Sequence, residues 1–298
     1  MKSTMERLVN KIYRAIGRIM ILFAVLIATS CYDDEKISSP VKQVLPSDDP
    51  LDQLIQEEFV DKFGVAVRYK FVDRYVEPNK RVTPPKRELV EPMLDFLTTF
   101  WIEPYLGVQN GRRFFQDHVP AEVIFIGSPI FNDDGTITLG TADAGARITL
   151  TEVNAIDLEN ETWLFRQLNT IYHEFAHIIH QRYNLPTNWQ QISPDGYTSI
   201  GSWYTLNDIE ALERGFVSPY ATSTYNEDFA EMVAFIMFHP EFYEIFIENE
   251  TCTTEDCNRR NAGREMIRQK YNAVLSHYTQ VTGVDLLAVR ALIQDQLN

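Results

Sequence analysis

The chain has 298 residues, of which 45% are hydrophobic and 23% are charged. This balance is typical of globular domains, and it excludes a chain that is disordered, collagenous or coiled-coil throughout. Asp and Glu outnumber Lys and Arg by 42 to 27, so the net charge is −15. A surface that binds nucleic acid needs the opposite sign, and we therefore expect no nucleic-acid partner.

The first 30 residues differ from the rest of the chain in charge and hydropathy. Five basic side chains and one acidic side chain accompany an uncharged apolar run over residues 19–29. Because a helix needs about 20 apolar residues to span a bilayer, this shorter run predicts the hydrophobic part of a signal peptide. Three small residues then precede Cys31, a pattern that resembles the lipobox of bacterial lipoproteins. The resemblance implies that residues 1–30 are removed and that Cys31 carries the lipid.

Residues 31–50 are rich in Asp, Ser and Pro and predict a flexible tether between the lipid and a folded domain. The acidic residues 33–35 resemble the surface-export signal of Bacteroides-type lipoproteins, and a solvated acidic linker is the alternative. We therefore expect a lipid anchor in the outer membrane. A surface-exposed domain is favoured, with the periplasmic face as the alternative.

Two further cysteines, Cys252 and Cys257, lie five residues apart. An exported domain lies in a compartment where they can form a disulfide, and two free thiols are the alternative. Their spacing does not suit paired zinc ligands.

Apolar spacing and β-branched content predict the order of the secondary structure. In the first half, helices are predicted over residues 51–63 and 88–105, and strands over residues 65–72, 121–127, 137–139 and 146–153. In the second half, the predicted elements are all helices, over residues 161–183, 208–215, 226–238, 240–248, 259–282 and 285–296. A small mixed or antiparallel sheet with flanking helices, followed by a mainly helical half, is an α+β arrangement. We expect residues 51–298 to form a single domain.

Residues 172–177, Tyr-His-Glu-Phe-Ala-His, carry the sharpest chemical signal. His173 and His177 are four residues apart in a helical pattern, which places both imidazoles on one helix face. Two ring nitrogens at this spacing can bind one zinc ion. Glu174 can reach a water on such a metal without coordinating the metal, so it is the expected general base.

A catalytic zinc site needs a third protein ligand. Glu227 and Glu231 lie four residues apart in an otherwise apolar helical segment, where carboxylates are costly unless they meet a cation. We expect Glu227 to bind zinc and Glu231 to accept a hydrogen bond from a zinc-bound histidine. Exchanged roles and a solvated acidic face are the alternatives. For His180 we expect a supporting position beside the ligands, and a fourth ligand is the alternative.

These motifs, together with residues 215–221, resemble a zincin family of Bacteroides-type lipoproteins. Its members are described as zinc-binding metallopeptidases or as substrate-import-associated zinc metallohydrolases, and they accompany outer-membrane nutrient importers. The resemblance implies a zincin-like fold, one Zn²⁺ ion and a peptide or protein substrate. It also implies an association with an outer-membrane import complex.

The Glu-x-x-x-Glu helix is also similar to that of two gluzincin groups, anthrax lethal factor and the Pro-Pro endopeptidases. This similarity implies that the first glutamate, here Glu227, is the ligand and that a tyrosine seven residues earlier stabilises the oxyanion. That tyrosine is Tyr220, and Tyr225 is its rival. Zincins pair their substrate with an edge strand, which we expect at residues 148–153.

Three functions are compatible with the sequence. They are a lipid-anchored zinc endopeptidase, a zinc hydrolase of a non-peptide amide or ester, and a catalytically silent partner of an importer. The presence of Glu174 argues against the silent partner, since such a protein needs no general base. The motif specifies the metal and the base but not the acyl group, so it does not separate the first two functions.

Overall fold

The structure, a computed structural model, describes residues 47–72, 76, 80–131, 137–138, 140–142, 147–199 and 201–298. Residues Ser47–Asn298 form one compact unit. The predicted signal peptide, Cys31 and most of the predicted tether lie outside the described residues, so the predictions for them stay predictions. Within the described ranges, no helix combines the length and the apolar character needed to cross a membrane.

A four-stranded sheet provides one layer of the fold. Its strands are β1 (Ala66–Arg68), β2 (Glu122–Phe125), β5 (Gly140–Ala142) and β6 (Arg147–Leu150), and their order across the sheet is β1-β2-β6-β5. Strands β1, β2 and β6 run parallel, and β5 pairs with β6 in the antiparallel direction. The sheet is therefore mixed, and a purely antiparallel sheet is excluded. A separate antiparallel pair is formed by β3 (Ile130–Phe131) and β4 (Ile137–Thr138).

The prediction that residues 148–153 form an edge strand is wrong. Residues 148–150 belong to β6, which lies between β2 and β5, so both of its edges are paired. In the described part of the sheet, β5 is the antiparallel edge strand. The alternation of apolar residues in β6 indicates which side chains are buried. It does not indicate which strands pair with β6, so it was consistent with an edge or a central position in the sheet.

Helical segments of the first half precede and separate these strands. The α-helices are α1 (Pro50–Ile55), α2 (Asp61–Phe63), α3 (Val90–Leu97), α4 (Glu103–Leu106) and α5 (Gly111–His118). Wider π-helical turns continue α1 and α3 over Gln56–Val60 and Thr98–Ile102, and shorter 3₁₀ turns lie at Arg87–Leu89 and Val153–Ala155. Helix α5 was not predicted, because its eight residues begin with Gly and are mostly polar or charged. Its aromatic residues Phe114 and Phe115 nevertheless bury one face.

The second half is helical, as predicted. Its α-helices are α6 (Glu161–Tyr183), α7 (Trp189–Ile192), α8 (Asp208–Glu213), α9 (Tyr225–Phe238), α10 (Glu255–Thr282) and α11 (Leu286–Leu297). Additional 3₁₀ or π turns lie at Trp203–Thr205, Tyr220–Thr222 and Tyr243–Ile247. The predicted bounds of the long helix over residues 161–183 are confirmed.

Helix α6 is the central element, because it packs against β5, β6 and α9. Phe175 anchors it in an aromatic cluster, with ring centroids 5.5 Å from those of Trp101 and Tyr105. Tyr172 adds a hydrogen bond from its hydroxyl to the carbonyl oxygen of Phe100. Close aromatic packing of this kind leaves few alternative positions for the helix. It therefore also fixes the neighbouring face of α6, which carries the predicted histidines.

Helix α9 is held at both ends. At its start, the side chain of Thr224 accepts a hydrogen bond from the backbone N–H of Glu227, which is an N-cap. At its end, Arg290 of α11 donates to the carbonyl oxygens of Ile236 and His239 at 2.7 and 2.9 Å. A buried cation on the last carbonyls satisfies them and complements the helix dipole. The N-terminal turn of α9 is thus fixed in position against α6.

Candidate metal centre

Helix α6 places its functional residues at the centre of a buried stretch. His173 and Glu174 are 6% and 9% exposed, and His177 is partly buried. Asn160 caps the start of the helix by accepting a hydrogen bond from the backbone N–H of Trp163. The two histidines therefore sit on a rigid helix interior, as a metal site requires.

Helix α9 crosses α6 in the opposite direction. Glu227 near its start contacts His173 and His177, while Phe235 two turns later packs its ring 5.8 Å from that of Phe165. Successive turns of α9 therefore lie beside successive turns of α6 taken in reverse order. Glu231, one turn after Glu227, consequently reaches the other side of the His173 ring.

Three potential ligand atoms converge between the two helices. The Nε2 atoms of His173 and His177 lie 3.0 Å apart, and each lies 3.0 or 3.2 Å from Oε2 of Glu227. Ligands about 2.0–2.1 Å from a tetrahedral zinc ion lie about 3.3 Å from one another, so the observed spacing fits such an ion. Two imidazoles and one carboxylate are a zinc ligand set that leaves a fourth position for water or substrate.

The outer ring nitrogen of each histidine has a partner of its own. Nδ1 of His173 donates to Oε1 of Glu231 at 2.8 Å, and Nδ1 of His177 lies 2.8 Å from Nε2 of His180. These bonds turn the Nε2 lone pairs toward the centre, which is how supporting groups orient metal ligands. His180 therefore lies behind His177. Within the described residues, the group of side chains spaced to bind one ion contains His173, His177 and Glu227 without His180.

Glu231 is itself held by two side chains. Oγ of Ser218 donates to its Oε2 at 2.6 Å, and Nδ2 of Asn169 donates to its Oε1 at 3.2 Å. Neither residue was assigned a role from the sequence. Asn169 lies four residues before His173 and so shares its helix face, which was a usable signal. Ser218 lies in a loop, and no local pattern relates it to Glu231.

The buried charges shift the pKa values of the site in directions that favour ion pairs. Burial opposes the charge on His173, but hydrogen bonds with Glu227 and Glu231 outweigh it and raise the pKa to about 10. Burial likewise opposes the charge on Glu227, yet the two histidines hold its pKa well below the usual range. For His180, burial and the neighbouring His177 lower the pKa to about 4. The uncharged His180 ring can thus accept a hydrogen bond at Nε2 from Nδ1 of His177.

Tyr220 lies over the centre and Glu174 beside it. The Tyr220 ring is centred 5.8 Å from that of His173 and 5.1 Å from that of Trp203. Tyr220 is 37% exposed as a whole, yet partial burial and the nearby carboxylates of Glu227, Glu231 and Glu174 raise the pKa of its phenol well above the usual value. Its hydroxyl therefore keeps its proton at neutral pH and remains a hydrogen-bond donor.

Tyr225 and the two cysteines complete the residues predicted from the sequence. Tyr225 is 44% exposed, and its backbone carbonyl accepts a hydrogen bond from the Trp189 indole. Cys252 and Cys257 are joined by a disulfide at the start of α10, and neither belongs to the group around His173.

The raised pKa of His173 predicts that zinc competes with a proton. Below about pH 10 the metal-free site holds this proton, and it must leave before the ring can bind zinc. We expect the apparent zinc affinity to fall by about tenfold for each pH unit between pH 8 and pH 6 for one displaced proton. Titration against a chromophoric chelator measures this slope. Glu231→Gln should give a shallower slope, and a flat profile in the wild type would contradict the proton assignment.

The comparisons with known proteins agree with this geometry. Residues 46–287 match the profile of a family described as "Putative zinc-binding metallo-peptidase". A crystal structure of a "putative zinc-binding metallo-peptidase" from Bacteroides caccae is similar, with a TM-score of 0.67 and 29% sequence identity. The match covers 83% of this chain and 91% of that chain. No curated protein matches the chain. Because the family profile spans most of the sequence, this chain belongs to that family of zinc-binding metallopeptidases.

Proposed function

We propose that this protein is a zincin-like, zinc-dependent endopeptidase, anchored by lipid on Cys31 to the outer membrane and working beside a nutrient importer. The observation that carries the catalytic part is the position of Glu174. Its carboxylate follows the ligand His173 directly, is buried, and lies outside the group of three ligand side chains. A buried carboxylate beside a metal site, but not in it, is what a general base requires.

The chemistry of the bound zinc ion would be to polarise the scissile carbonyl and lower the pKa of the attacking water. The chain's own residues supply the remaining steps. The Glu174 carboxylate accepts a proton from the attacking water and then passes it to the leaving amine nitrogen. The Tyr220 hydroxyl donates a hydrogen bond to the carbonyl oxygen as negative charge develops on it. The pKa of Tyr220, raised by burial, keeps this donor protonated.

Two features of the structure support a peptide as the substrate. Strand β5, at the antiparallel edge of the described sheet, packs against α6 and can accept an extended peptide as an additional strand. A cavity of about 460 Å³ shares Glu231 and Ser218 with the site. Apolar side chains dominate its lining, including Phe165, Leu212 and Phe235, so it suits a hydrophobic side chain of a substrate.

The membrane part of the proposal depends on the sequence alone. The apolar run, the small residues before Cys31 and the acidic tether together support a lipid-anchored, surface-exposed protein. Lipid attachment confines an enzyme to the membrane on which its partners lie, which fits a role beside an importer. The partners proposed are a peptide or protein substrate and an outer-membrane import complex.

A digest of a defined peptide library tests the activity. The protein would comprise residues 36–298 with its zinc content measured, and products would be identified by mass spectrometry. We expect cleavage by the wild type and a loss of at least about 100-fold for Glu174→Gln, because a positioned general base contributes about 10²- to 10⁴-fold. The same digest reports which side chains are accepted around the cleaved bond.

The control for this digest is zinc binding by Glu174→Gln, which should match the wild type because Glu174 lies outside the ligand group. A wild type that holds one zinc ion and cleaves no peptide would refute the endopeptidase. It would favour a non-peptide amide or ester, or a binding role at the importer.

The two tyrosines give a separate prediction. Tyr220→Phe should lower kcat by about 10- to 1000-fold with little change in KM, because its hydroxyl acts on charge that develops only in the transition state. Tyr225→Phe should leave both constants close to the wild type, because the tyrosine ring beside that of the ligand His173 is Tyr220. Steady-state kinetics on one cleaved peptide decides which of the two tyrosines stabilises the oxyanion. A larger effect from Tyr225→Phe would transfer the oxyanion role to that residue.

A further inference from the structure

Helix α10 contributes a lysine to the interior of the protein, where it contacts α9 at the residue that follows the ligand Glu227. Lys270 is fully buried, and its ammonium group donates to Oδ1 of Asp228 at 2.9 Å and to the carbonyl oxygen of Gly215 at 2.8 Å. It also lies 3.6 Å from the centre of the Phe216 ring, a cation–π contact. One buried cation therefore joins helix α10 to two other parts of the chain.

The first of these parts is the N-terminal turn of α9. Asp228 is 1% exposed and follows the ligand Glu227 directly in the sequence. Its Oδ2 atom lies 2.9 Å from the Lys270 ammonium and accepts a hydrogen bond from the Tyr197 hydroxyl at 2.7 Å. Consecutive residues of a helix point about 100° apart. Fixing the Asp228 side chain therefore fixes the direction in which Glu227 leaves the helix.

The second part is the loop that leads to Ser218 and Tyr220. Gly215 has a φ of +86°, and a Cβ there would lie 2.7 Å from Cβ of Met266, so glycine is required at this position. Three residues later, the Ser218 hydroxyl donates to Glu231 and accepts from the backbone N–H of Ala221. Lys270 thus holds the start of the loop whose end orients Glu231 and carries Tyr220.

We propose that Lys270, through Asp228 and Gly215, is a positioning residue that sets the place of Glu227 relative to Tyr220 and Glu231. This inference rests on the proposed zinc site. A buried ion pair is a poor means of gaining stability, because desolvation offsets most of its attraction. An apolar pair would pack as well, but it would not bind a carboxylate on one helix and a carbonyl on a loop at the same time. The main effect of the pair is therefore to fix the position of α9 relative to the loop at Gly215, and its contribution to stability is smaller.

Three variants test this positioning role. Lys270→Met removes the cation and leaves Asp228 buried without it, so its urea-unfolding midpoint should fall the most of the three. Lys270→Met combined with Asp228→Asn removes both charges and should recover much of that loss. Asp228→Asn alone is the mildest, because an amide oxygen in place of Oδ2 can still accept from both Lys270 and Tyr197.

The decisive readout is zinc affinity, measured by chelator competition on variants that urea titration shows to be folded. We expect the double variant to bind zinc about 10- to 100-fold more weakly than the wild type, as for other groups that orient ligands. The zinc affinity of Asp228→Asn should lie between those of the wild type and the double variant. On a cleaved peptide, kcat should fall in the same order while KM changes little.

The matched control is Arg264→Met, which removes another buried cation of the same helix. Arg264 donates to the carbonyl oxygen of Ile245 and pairs with Glu250, and neither group belongs to the metal centre. This variant should lose stability and keep the zinc affinity and kcat of the wild type. If lost stability alone were responsible, zinc affinity and kcat would fall in every variant, including Arg264→Met, in proportion to the loss in unfolding free energy.

The proposal is overturned if either folded variant of the Lys270–Asp228 pair binds zinc as tightly as the wild type and retains its kcat. If the double variant does not fold, Asp228→Asn alone decides by the same criterion. The zinc measurement does not depend on peptide cleavage. A wild type that binds zinc but cleaves nothing would refute the proposed endopeptidase and leave this positioning role to be judged by affinity.

Discussion

The structure depends on one electrostatic constraint, the presence of two carboxylates of α9 against the histidine face of α6. Glu231 is 3% exposed and Glu227 is mostly buried, so both need positive charge or hydrogen-bond donors to compensate for lost hydration. His173 provides a donor toward each of them, at 3.0 Å for Glu227 and 2.8 Å for Glu231. A zinc ion would take the place of the proton between His173 and Glu227. The centre is thus built to hold a cation.

The two histidines have different partners on their outer nitrogens, and this difference has chemical consequences. A carboxylate on Nδ1 of His173 makes that ring more basic and a stronger donor of electron density to a metal. An uncharged imidazole on Nδ1 of His177 orients that ring without adding negative charge. Together with Glu227, the centre then carries one carboxylate among its ligands and one behind them. With this moderate negative charge around it, a bound zinc ion would remain electrophilic enough to polarise a carbonyl, as the proposed function requires.

The surrounding fold explains how such a centre stays in place. The aromatic cluster around Phe175 fixes α6, while Thr224 and Arg290 fix the two ends of α9. The Lys270–Asp228 pair joins α9 to the loop before Tyr220. Each support reaches the centre through a different element, so small shifts in one helix are resisted by the others. Such over-determination is what holds ligands within a few tenths of an ångström of the geometry that a metal needs.

Local sequence determined the parts of this protein that a single helix can encode. The spacing of His173 and His177, the long helix around them and the paired carboxylates of α9 all follow from the 3.6-residue period and from the cost of charge in an apolar face. The order of the strands did not follow, because alternation reports burial while pairing is decided by contacts between distant segments. For the same reason, only the tertiary structure shows that Ser218 and Lys270 support the same centre, although they lie far apart in the chain.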